Sequence, residues 1–87
     1  MKSISTFKDF GNVNHAFVVG RQRTFFQKEY EVAVRNGTQP YIYEFISTSQ
    51  LEITELFLQI SKMLVTADSW EEFAKAVEIA KENKRLP

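Results

Sequence analysis

Cysteine is absent from this chain. Its absence excludes a disulfide framework, a thiol nucleophile and a Cys-based zinc site together, and it fits a reducing compartment, so the expected location is cytoplasmic. Histidine occurs once, as His15. Catalytic zinc takes three protein ligands, and neither a second histidine nor a cysteine is there to help. A Ser-His-Asp scheme would rest on His15 alone, and its neighbours Asn14 and Ala16 suggest a surface or loop residue. The three glycines, Gly11, Gly20 and Gly37, stand isolated, so no glycine-rich loop exists to cradle a phosphate. No run approaches the roughly 20 consecutive apolar residues that cross a bilayer, and residues 1–8 lack the apolar stretch of a secretory signal. The expectation is a non-enzymatic protein with no cofactor, no metal and no membrane association.

Charge of neither sign is in excess: eleven basic and eleven acidic residues cancel. The halves differ, with six basic against three acidic residues in 1–43 and five against eight in 44–87. The simplest reading is that the two halves attract each other within one domain; the functional one is a basic face opposite an acidic face that orients a partner. At 87 residues there is room for one domain, burying roughly 60–70% of the surface its unfolded chain exposes. No repeat, linker or low-complexity stretch divides it.

What is present is an ordered series of elements. Residues 29–35 alternate as a half-buried strand, Asn36-Gly37 is a strong hairpin signal, and residues 41–46 read as the return strand. A two-residue turn would pair Val32 with Tyr41 and Tyr30 with Tyr43, placing Tyr30, Val32, Val34, Tyr41, Tyr43 and Phe45 on the core face. Pro40 cannot donate to a ladder, so it suggests an edge position or a longer loop over residues 36–40. Ser49 with Glu52, and Ser69 with Glu72, have capping-box spacing and open helices over 49–65 and 69–84. The short link between them predicts an antiparallel αα-hairpin. The expected fold is α+β: a β-hairpin (29–46) or three-stranded antiparallel meander, followed by the αα-hairpin packed on one sheet face. Trp70, Phe57, Ile60 and Val77 are expected among the most buried residues.

Residues 1–28 hold five of the eight phenylalanines: Phe7, Phe10, Phe17, Phe25 and Phe26. Residues 3–10 could form one short helix, and strand and helix both stay open over 1–28. Residues 12–19 read as a strand ended by Gly20, with 21–27 either its continuation or a helical turn.

The central helix is apolar on too many sides. Ile53, Leu56, Phe57, Ile60, Met63 and Leu64 form its core stripe. Leu51, Leu58 and Val65 form a second, seven residues apart, joined to the first through small Thr54 and Ser61. So broad an apolar arc needs cover from two directions. The N-terminal phenylalanines are the favoured cover, and a partner is the alternative.

Other candidate sites are weaker. Glu29, Glu31 and Glu44 share the less apolar hairpin face and could in principle hold magnesium, but solvated carboxylates are the simpler reading. Gly20-Arg21-Gln22-Arg23 could seat a phosphate in a turn. Arg21, Arg23, Lys28 and Arg35 near Tyr30, Tyr41 and Tyr43 suggest a module gripping single-stranded nucleic acid. Zero net charge opposes that reading, and so does the need for the same tyrosines as core cover. The favoured function is therefore protein–protein contact, with another protein or a second copy of itself. Leu51, Leu58, Val65, Arg21, Arg23 and Arg35 are the candidate contact residues. Compact, cysteine-free proteins of this size are often inhibitors or adaptors of larger machines, including those encoded by phages and mobile elements.

Overall fold

A computed structural model describes residues 3–11, 14–24 and 26–82. Four antiparallel strands, β1 (Ile4–Asp9), β2 (His15–Thr24), β3 (Glu29–Asn36) and β4 (Tyr43–Ser47), lie in the order β1-β2-β3-β4. Two helices follow, α1 (Gln50–Thr66) and α2 (Trp70–Glu82), and they pack with the inner face of this α+β sheet. Residues 83–84 of the expected second helix, and Phe25, lie outside the described residues.

The N-terminal segment departs from expectation in two ways. Residues 4–9 form a strand rather than a helix, because β2 offers them a six-residue antiparallel ladder from Ile4↔Gly20 to Asp9↔His15. Nor does Gly20 end β2: of the two alternatives for the residues after it, the strand continuation holds, as far as Thr24. Gly20 marks a close approach instead: a Cβ there would lie 3.1 Å from the Phe57 ring and 3.3 Å from Ile4.

The hairpin register also differs. Val34 pairs with Tyr43 and Val32 with Phe45, so the connection runs over residues 37–42, longer than a two-residue turn and displaced from the expected 36–40 loop. A type I′ turn needs positive φ at both central residues. Gly37 has it (φ +60°), whereas Lys28 is the one non-glycine residue with positive φ among those described. Asn36 is instead held in β3 by its side chain, which accepts from the His15 N–H at 3.0 Å and donates to Asn14 Oδ1 at 3.1 Å. The partner of Val32 moves by four residues, from Tyr41 to Phe45. A shift by an even number keeps side chains on their faces, so Val32, Val34, Tyr43 and Phe45 are still core.

The inner sheet face presents Ala16, Val18, Val32, Val34, Tyr43 and Phe45 to Ile53, Leu56, Phe57, Ile60 and Leu64 of α1, and Phe73, Val77 and Ala80 of α2 complete the core. Phe57, Ile60 and Val77 are buried as expected. Trp70 is only half-buried, since it opens α2 at the rim of the core; Phe73 fills the interior, with the two rings 5.7 Å apart. Both caps form: Ser49 Oγ accepts from the Glu52 N–H and Ser69 Oγ from the Glu72 N–H, each at 3.1 Å. The glutamates reach further back than a capping box requires: Glu52 accepts from the Ser47 hydroxyl, two residues before its cap, and Glu72 from the Asp68 N–H, one residue before its cap.

Candidate contact surface

The second stripe of α1 is not covered. Leu51, Leu58 and Val65 are 69%, 60% and 66% exposed, against the expectation that N-terminal phenylalanines would bury them. The reason is strand parity. In β1 and β2 the even positions face the helices and the odd ones face away, so Phe7 and Phe17 stand on the outer sheet face. Phe10 packs at the edge of the core, and Phe26 is exposed.

The stripe has a defined place in the fold. Beside it on α1, Ser61 Oγ shares a 2.9 Å hydrogen bond with Thr6 Oγ1 of β1. Thr54, one heptad earlier, lines with Ile4 a hollow of about 320 Å³. The exposed leucines therefore rise above the β1 side of the sheet, and β1 is an edge strand. His15 turns its backbone toward β3, accepting from the Gly37 N–H at 2.7 Å and donating to Asn36. Ladder alternation then assigns the even residues of β1 to bonds with β2 and turns the N–H and C=O groups of Ser5, Phe7 and Asp9 to the open edge.

The outer sheet face carries the arginines, on strands rather than on a basic loop. Arg21 Nε donates to Glu31 Oε1 at 2.6 Å, and Glu31 is only 4% exposed although neither α1 nor α2 lies on this face. This hydrogen bond is the main reason the Arg21 guanidinium is held above its ordinary pKa. Arg23 lies 3.6 Å from Glu29. The solvated reading of the acidic trio therefore fails at Glu31, holds at exposed Glu44, and is replaced at Glu29 by a weak ion pair. Both Arg–Glu pairs also fall within residues 1–43, so among the described residues the charge imbalance is not met by ion pairs between the two halves.

Tyr41 moves from its expected core position to this outer face. Both guanidinium groups reach its ring, Arg21 at 5.4 Å and Arg35 at 5.6 Å, and Arg35 also stacks on Phe17 at 4.8 Å. The register puts the Val19–Ala33 pair midway between the two arginines, and both residues are buried. Arg35 has no carboxylate partner among the described residues. It borders a shallow hollow of about 370 Å³ shared with Phe7, His15, Phe17, Gly37 and Thr38. His15 is half-buried on β2, its ring stacked on Phe7 at 5.7 Å and its Nδ1 3.4 Å from the Asp9 carboxylate.

Tyr43 belongs to the core. Its hydroxyl donates to Glu78 Oε1 at 2.7 Å, and burial together with that bond pushes its pKa up to about 12. The three tyrosines thus divide: Tyr43 inside, Tyr30 packed at the core edge, and Tyr41 outside. Sequence reasoning found the α1 stripe and the arginines but missed Tyr41 and Phe17 as outer-face residues. The signal for Phe17 was its alternation with Ala16 and Val18.

No family model, curated protein or solved structure matches the chain.

Proposed function

We propose that this protein is a non-enzymatic contact protein that engages a protein partner, another protein or a second copy of itself, through the exposed flank of α1 and the β1 edge beside it. The observation that carries this reading is the row Leu51, Leu58, Val65, each about two-thirds exposed on a helix whose opposite face is fully used in the core. Scattered surface hydrophobics are ordinary, but three in heptad register on one flank of a helix have the spacing of a helix contact site. Below the row, the outward N–H and C=O groups of β1 offer a partner backbone hydrogen bonds. A stoichiometric inhibitor or adaptor in the cytoplasm, of the kind phages and mobile elements encode, is the role such a surface suits.

The outer sheet face supports a second reading less well. Phe17, Arg35 and Tyr41 do combine rings with a cation, as a single-stranded nucleic acid would require. Yet Arg21 and Arg23 are paired with carboxylates, and the Tyr41 ring already lies against the guanidinium groups of Arg21 and Arg35.

An affinity pull-down from host lysate, with and without nuclease, tests the assignment. Capture of a protein that survives nuclease and is lost in a folded Leu58→Glu variant is the expected result. Capture that resists Leu58→Glu but disappears with nuclease, or with Arg35→Ala, overturns it in favour of nucleic acid. His15→Ala should leave fold and capture intact.

A further inference from the structure

We infer that the α1 flank is occupied by a second copy of this chain, with the two α1 helices packed antiparallel about a two-fold axis near Leu58. The inference rests on the contact reading above and names the occupant of that same surface. The seven-residue spacing of Leu51, Leu58 and Val65 keeps the row on one side of a 17-residue helix, and such a row matches another helix. Between these positions, on the side toward β1, lie Thr54 and Ser61, small enough to admit a partner's leucine. On the other side lie two exposed charges, Glu55 and Lys62.

Those charges select the occupant. Glu55 and Lys62 stand about equally far from Leu58 in opposite directions along α1, with opposite signs, and neither is in an ion pair among the described residues. When two copies meet antiparallel with Leu58 against Leu58, Leu51 of each faces Val65 of the other. Glu55 of each then faces Lys62 of the other, twice over. The flank is complementary to itself, as a two-fold interface requires. An unrelated helix would have to reproduce both the apolar spacing and the reversed charge order.

Sedimentation velocity with circular dichroism tests this. The wild type should sediment as a dimer and Leu58→Glu as a folded monomer. Glu55→Lys sets lysine against lysine across the axis, and Lys62→Glu sets glutamate against glutamate. Each alone should weaken self-association at least ~tenfold. Mixing the two variants restores both attractive crossings and should restore a dimer, an outcome a general loss of stability would not produce. A wild-type monomer overturns the inference, as does a dimer indifferent to Leu58→Glu or variants that fail to complement on mixing. A wild-type monomer that still captures a different protein through Leu58 leaves the contact reading standing and removes only self-association. A monomer with no Leu58-dependent capture removes both.

Discussion

The Lys8 ammonium, on β1, caps the C-terminal end of α1 by donating to the carbonyl of Ala67 at 2.5 Å, and to those of Val65 and Leu64 at 3.0 and 3.3 Å. The last carbonyls of a helix have no partner within it and carry its negative dipole end. No basic residue stands in the last turn of α1, so the compensating charge comes from a strand 56 to 59 residues earlier in the chain. The contact also ties the edge strand to the helix above it.

Lys8→Met keeps most of the side-chain bulk and removes the charge. It should cost about 1–2 kcal/mol, the range for charge-assisted bonds at a helix end. Urea unfolding measures the loss. Hydrogen exchange should show faster opening at the C-terminal turn of α1 and in β1 than in β3.

Gly20→Ala places a methyl group 3.1 Å from the Phe57 ring and 3.3 Å from Ile4. Because Phe57 belongs to the core, the ring cannot swing freely away, and overpacking should destabilise by about 1–3 kcal/mol. Phe57→Ala at the same contact should cost about 3–5 kcal/mol. Combined, the two should be less damaging than their sum, because the smaller side chain makes room for the methyl. A double-mutant cycle reads that coupling directly.

Arg21 is 39% exposed by its side chain, but its partner Glu31 is buried. Arg21→Met therefore strands a carboxylate, and a cost of up to about 3–5 kcal/mol is expected at neutral pH. Arg21→Met with Glu31→Leu removes both charges and should recover most of the loss. Thermal unfolding of the single and double variants distinguishes a stranded charge from lost packing, which the double variant would not repair.

Alkaline stability should report Tyr43. Its pKa is raised from 10.0 to about 12 in the folded protein, so the folded state holds the phenolic proton more tightly than the unfolded chain does. The stabilisation is complete below pH 10 and is lost as pH climbs from 10 through 12. Absorbance titration should show one of the three tyrosines ionising late, and Tyr43→Phe should abolish that late step.

Much of the fold was legible without coordinates, because it rests on local physics. Ser49 and Ser69 start their helices through hydroxyls that reach backbone groups three residues on. Likewise, the 3.6-residue period of α1 chose Ile53, Leu56, Phe57, Ile60 and Leu64 for the core. The same period showed that Leu51, Leu58 and Val65 lay off that face. The alternation of residues 29–35 identified β3.

What covered the off-face residues was a tertiary question. A helical wheel shows which direction a side chain leaves the axis, not what stands there. Residues 3–10 carry no signal strong enough to choose strand over helix, and β1 exists because β2 supplies its ladder. Once it does, parity sends Phe7 and Phe17 away from α1 and leaves the leucine row exposed. The hairpin register belongs to the same class. Asn36 chose β3 over the turn because His15 and Asn14, some 21 residues earlier, gave its amide two partners. Local propensity determined which segments are helix and strand over 29–82, and long-range pairing determined which of their apolar side chains remain available for a partner.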